Sequence, residues 1–153
     1  MLAINHALGG AVIGLTVSNP AIAVPLAFMS HFALDTIPHF DWPGNEAARI
    51  GRKAFHYQLV GDAILCFLLV VFLFMSKPKD WFIVAVCAFA ATAPDLLWIP
   101  KFIKVVHRGQ KPTNDNWFYK FHFGIQWKTS PWLWWVEALW FILAGTTVIF
   151  LAT

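Results

Sequence analysis

The chain has 153 residues, 59% of them hydrophobic and only 12% charged, with two cysteines and a formal net charge of +3. A soluble domain carries roughly 25% charge and about 45–50% apolar residues, so this composition excludes a water-soluble globule, a disordered chain and a disulfide scaffold. The small basic excess is scattered between apolar spans, which points to loops on one face of a membrane and not to nucleic acid.

The expected fold is a single all-α domain, residues 1–153: a polytopic membrane bundle of about five transmembrane helices. The first 34 residues contain no Asp, Glu, Lys or Arg. As one helix they would run roughly 50 Å, well beyond a hydrocarbon core of about 30 Å. Ser18-Asn19-Pro20 divides them, because Ser and Asn are favoured N-caps and proline is favoured at the first helical position. Helix A is then expected over 2–17 and helix B over 20–37. Ala21-Ile22-Ala23 resembles a signal-peptidase site, but no positive segment precedes it, so the N-terminal helix is expected to be retained.

Three further spans of about 20 residues follow, over 54–76, 81–100 and 131–153, with one acid each and no base: Asp62, Asp95 and Glu137. Cys66 and Cys87 lie inside apolar stretches and read as small buried hydrophobes. In the loop over 101–130, Trp117, Phe118, Phe121 and Ile125 recur at helical spacing, as in an amphipathic helix lying at the membrane interface. Trp127, Trp132, Trp134 and Trp135 form an aromatic belt at the start of the last span.

Five spans alternate the connections between two faces. Arg49, Arg52, Lys53, Lys101, Lys104, Arg108, Lys111, Lys120 and Lys128 fall on one face, against Lys77 and Lys79 on the other. The positive-inside rule makes the first face cytoplasmic, with the N-terminus inside and the C-terminus outside.

On this topology His6, His31, Asp35, His39, Asp41, His56, Asp62, Asp95 and Glu137 share one level near the cytoplasmic face. An ionised carboxylate inside a span costs about 2.5–3.5 kcal/mol on insertion scales, so such groups turn inward and find partners. His31 and Asp35 are four residues apart and leave one helix face together, and Pro38 ends the helix so that His39 and Asp41 can turn back over the site. His6 shares a face with Gly10 and Gly14, small residues that allow close helix approach.

His6, His31, Asp35, His39, Asp62 and Asp95 are therefore the expected metal ligands, with His122 and Glu137 as further candidates. Histidine with aspartate and no cysteine suits Zn²⁺, Mn²⁺ or Fe²⁺, as one ion or two bridged by carboxylates. Asp41 and His39 are the candidate catalytic groups, Asp41 as general base or as ligand to a second ion. Arg49, Arg52 and Lys53 are placed to hold an anionic headgroup. A buried His–Asp hydrogen-bond network without metal, an ion- or proton-coupled transporter and a non-catalytic membrane assembly subunit are the competing readings. The external halves of the spans lack acids and bases, which disfavours a transport path.

The segment Ser30-His31-Phe32-Ala33-Leu34-Asp35-Thr36-Ile37-Pro38-His39-Phe40-Asp41, with His6 and Pro94-Asp95, resembles a pattern in small bacterial inner-membrane metal-dependent hydrolases, a group that includes a LexA-binding hydrolase. The resemblance implies a metal site in a prokaryotic cytoplasmic membrane. The expected activity is hydrolysis of a phosphate ester of a membrane lipid or lipid-linked substrate at the cytoplasmic interface. Members often carry His-Arg-Gly leading into Thr-His-Ser, whereas here His107-Arg108-Gly109 continues as Gln110-Lys111-Pro112. The histidine implied there would have to come from elsewhere, and His122 is the candidate.

Overall fold

A computed structural model describes residues 1–44, 46–108 and 117–153. Among them the regular structure is helical, with no strand beyond one isolated bridge between His39 and Thr129. The break expected at Ser18-Asn19-Pro20 is present. α1 runs over Ala3–Thr16 and α2 over Pro20–Asp35. Asn19 caps α2 by accepting the Ala21 N–H at 3.0 Å, and Pro20 occupies the first turn, where its missing N–H costs nothing.

After the short α3 (Glu46–Ile50), α4 covers Lys53–Ser76. A tight reversal follows, with Lys77 and Asp80 both in the left-handed region at φ 47° and 58°. α5 (Trp81–Leu96) ends four residues before the expected limit of its span. A new helix, α6 (Ile99–Arg108), then carries Lys101 and Lys104 beside apolar residues. The apolar run 96–100 conceals this boundary in the sequence. α7 (Trp117–Ile125) matches the expected loop helix, and a single 3₁₀ turn over Pro131–Leu133 leads into α8 (Trp134–Ala152).

α1 is the axis of the bundle. Its Ile4, Ala7, Leu8 and Ala11 are buried with Leu69 and Leu73 of α4, Val84 and Ala88 of α5, and Ala144 and Val148 of α8. A second apolar cluster joins Ala23 and Ala27 of α2 to Cys87 and Ala91 of α5. Small residues set how closely α1 and α5 approach: a Cβ on Gly10 would stand 2.4 Å from the Cys87 carbonyl oxygen, and one on Gly14 would stand 2.8 Å from the Val84 Cα. Both cysteines are free, Cys87 buried and Cys66 half-buried.

The outside of the bundle is apolar. Val60, Phe67, Phe74 and Met75 of α4 and Ile142 and Phe150 of α8 are all exposed. Two helical stretches, Lys53–Ser76 and Pro131–Ala152, are long and apolar enough to cross a membrane.

Candidate metal centre

α1 and α2 run antiparallel, which brings the N-terminal turns of α1 to the C-terminal end of α2, and α5 ends at the same level. His6, His31 and Asp35 are almost wholly buried there. His6 Nε2 lies 3.2 Å from Asp35 Oδ1, and the His6 and His31 rings stack with centroids 4.0 Å apart. His31 Nε2 lies 3.3 Å from Asp35 Oδ2, the one-turn pairing expected from their spacing.

The tautomer of His31 follows from its other nitrogen. Nδ1 is 2.8 Å from the Ala91 carbonyl, which can only accept, so Nδ1 carries the hydrogen and, in the neutral ring, Nε2 offers its lone pair. This is the outer hydrogen bond that metal-binding histidines use to fix ring orientation.

α7 closes the group. His122 Nε2 is 3.0 Å from His31 Nε2 and 2.9 Å from Asp35 Oδ2, and Gln126 donates to the same oxygen at 2.9 Å. The helix is held in place by two longer-range bonds: Tyr119 Oη to the Leu97 carbonyl and the Trp127 indole N–H to the Thr36 carbonyl, both 2.8 Å. Phe32 packs among Phe118, Phe121 and His122. Asp95, the more exposed of the two acids, places Oδ1 3.7 Å from both His31 and His122 Nε2. The amine of Met1 lies 2.8 Å from Asp35 Oδ1.

Two sets of three side chains can therefore hold a metal ion, His6 with His31 and Asp35, and His31 with Asp95 and His122. They share His31. The donor spacing agrees with this. Tetrahedral bonds of about 2.0–2.1 Å place neighbouring ligand atoms about 3.3–3.4 Å apart, and the separations within the two sets run from 3.0 to 3.7 Å. His6 adds a second sign. It is fully buried, its Nε2 faces Asp35 Oδ1 at 3.2 Å, and its Nδ1 has no hydrogen-bond partner, a costly state for a buried ring nitrogen.

The remaining expected ligands are elsewhere. Asp62 accepts the N–H groups of Ala3 and Ile4 at 3.3 and 3.4 Å, and Glu137 accepts from Leu2 N at 3.1 Å and Asn5 Nδ2 at 2.6 Å. Both acids thus satisfy the open N–H groups and positive dipole end of α1. His39 is buried and donates from Nδ1 to the Ile37 carbonyl at 2.7 Å, while its backbone pairs with Lys128 and Ser130. Burial holds its imidazole below the usual histidine range, which keeps it neutral at pH 7.

Asp41 is occupied by the Trp42 N–H and an ion pair with Arg49, so the expected general base has a cation on it. Arg49 also stands over the Phe123 ring at 5.8 Å. Arg52 donates to the Pro43 carbonyl at 3.3 Å, and Lys53 is exposed at the start of α4. None of these three cations reaches the His/Asp group through a contact among the described residues. The stretch Gly109-Gln110-Lys111-Pro112, where the sequence departs from the resemblance, lies outside the described residues.

Gln126 and the Ala91 carbonyl were not expected. Gln126 had a legible signal, because it follows His122 by one turn and shares its face. A backbone carbonyl has none. Comparison with protein families, curated proteins and solved structures finds no match.

Proposed function

We propose that this chain is a five-span membrane protein whose His/Asp group binds a divalent transition metal, Zn²⁺, Mn²⁺ or Fe²⁺, as one ion or two, and hydrolyses a phosphate ester of a lipid or lipid-linked substrate. The observation that carries it is the meeting of His6, His31 with Asp35, and His122 from three helices remote in sequence. The resemblance of the His31–Asp41 segment to inner-membrane metal-dependent hydrolases supplies the reaction class and the prokaryotic cytoplasmic membrane. Five spans are supported by α1, α2 and α5, which are apolar and 14–16 residues long beside the two full-length helices. The basic loops favour the cytoplasmic side for the site.

His6, His31, Asp35, Asp95 and His122 would hold the metal. Bound there, it supplies Lewis acidity toward a phosphoryl oxygen and makes water a usable nucleophile near neutral pH. The protein's own groups do the rest. The Ala91 carbonyl fixes the His31 ring, and Gln126 orients the Asp35 carboxylate. Half-buried Phe32 packs with Phe118 and Phe121 along one side of the group. Asp95, reachable from solvent, would complete the set formed with His31 and His122.

The test is phosphate release from a panel of short-chain lipid phosphate mono- and diesters by metal-loaded protein in liposomes. Wild type should release phosphate, and Asp35→Asn and His122→Ala should each lose on the order of 100-fold or more. A folded, metal-loaded wild type that cleaves none of them contradicts the proposal.

A further inference from the structure

Between Asp95 and Asn114 the chain carries four bases, Lys101, Lys104, Arg108 and Lys111, and no acid. α6 lies in this stretch, and its ten residues form two rows. Ile99, Ile103 and Val106 follow one another at steps of four and three, so they share one side of the helix, and all three are exposed. Lys101, Lys104 and Arg108 recur at the same two steps and by helical register fall on the opposite side, where Lys104 is exposed.

The helix is fixed to the bundle along a third side. Phe102 meets the rings of Trp98 and of His56 in α4, with centroids 5.2 and 5.5 Å apart. Trp98 in turn meets Phe55 of α4 edge to face at 5.9 Å. The row of Ile99, Ile103 and Val106 stays uncovered beside this anchor.

Ten helical residues measure about 15 Å, half of a hydrocarbon core of about 30 Å, so α6 is too short to cross a membrane. An apolar row opposed by a basic row is instead the pattern of a helix lying in the plane of the interface, its apolar side among the acyl chains and its cations at the phosphates. Bases without acids make the segment complementary to anionic headgroups. A protein partner covering the apolar row would give the opposite row of cations no role, whereas a leaflet of anionic lipid engages both rows at once.

We propose that α6 lies in the headgroup layer and binds anionic phospholipid. The surface adjoins the His/Asp group, because α6 begins one turn after Asp95 and the Leu97 carbonyl between them accepts from Tyr119 of α7, the helix that carries His122. The proposal rests on the membrane location read above and adds the class of lipid gathered beside the centre.

The experiment uses the full chain with Cys66 and Cys87 replaced by alanine and one fluorophore-labelled cysteine, introduced by Ile103→Cys, Lys104→Cys or, in the middle of α4, Ile64→Cys. All three positions are exposed, so the bundle does not depend on them. In vesicles of phosphatidylcholine with a minor share of phosphatidylglycerol, the Ile103→Cys label should be quenched by doxyl groups on acyl chains and shielded from aqueous iodide. The Lys104→Cys label should do the reverse. With the doxyl group carried in turn by each lipid at equal amounts, the phosphatidylglycerol form should quench the Ile103→Cys label at least about threefold more strongly. Lys104→Glu, added to Ile103→Cys, should lower that ratio at least about twofold, as should about 1 M salt, which screens charges beyond about 3 Å.

Equal iodide access at positions 103 and 104, or equal quenching by the two lipids, overturns the proposal. The Ile64→Cys label separates it from the membrane reading. A label shielded at 64 and open to iodide at 103 overturns the α6 surface alone, and labels open at both remove the membrane location with it. None of these readouts needs metal or turnover, so failure of the hydrolase reading leaves them unchanged.

Discussion

Asp35 gathers the buried polar groups of this protein. Its Oδ2 takes Nε2 of His122 and the amide of Gln126, both at 2.9 Å, while its Oδ1 faces His6 and the Met1 amine. The His31–Asp35 pair was legible in the sequence because a four-residue spacing on a helix fixes direction. His122 was legible only by elimination, through the histidine missing after His107-Arg108-Gly109. Asp62 and Glu137 stand apart from the His/Asp group for a physical reason. An acid in an apolar span has to find a partner, but sequence does not say whether that partner is a metal or the open N–H groups of another helix. Gln126→Leu tests the outer part of the centre. It removes one bond to Asp35 and leaves every candidate ligand in place, so it should weaken metal affinity about 10- to 100-fold without abolishing binding. Competition with a chromophoric chelator reads this directly, and unchanged affinity would remove Gln126 from the account.

Whole helices are placed by glycine and proline more than by charge. The division at Ser18-Asn19-Pro20 was readable because a cap and a proline stand where length requires a break. The end of α5 was not, because Leu96-Leu97-Trp98-Ile99-Pro100 continues its apolar character without a stop signal until the proline. The contact between α1 and α5 allows a paired test. Gly10 faces backbone at 2.4 Å, whereas a Cβ on Gly61 in α4 would meet nothing within 4 Å. Gly10→Leu should destabilise by about 3 kcal/mol or more, since backbone must move to admit the side chain. Gly61→Ala should be neutral or stabilising by up to about 1 kcal/mol, through helix propensity. Thermal unfolding of both variants in detergent checks the pair, and equal behaviour would show that close packing of α1 on α5 does not hold the bundle together.

At the scale of the molecule, residues 6, 35, 62, 95 and 137 come to one level, as the proposed alternating spans require. In the structure the start of α1 touches Asp35, Asp62 and Glu137 at once, and His31 links this cluster to Asp95. The exposed apolar surface of α4 and α8 fits that arrangement. Its orientation is tested with single cysteines at Lys79 and Lys128 in a chain whose Cys66 and Cys87 are replaced by alanine. In intact cells a membrane-impermeant maleimide should label position 79 and spare position 128 until the membrane is opened. The opposite pattern would reverse the topology and place the His/Asp group on the external side.

The central claim is that imidazoles from α1, α2 and α7 gather into a His/Asp group that binds a metal ion, and X-ray absorption on the zinc-loaded, detergent-purified protein tests it most directly. The account predicts a nitrogen and oxygen shell at about 2.0–2.1 Å with the outer scattering of at least two imidazoles, one of which is lost in His122→Ala and another in His31→Ala. A shell without imidazole scattering, or a folded wild type that retains no metal after dialysis, would contradict it.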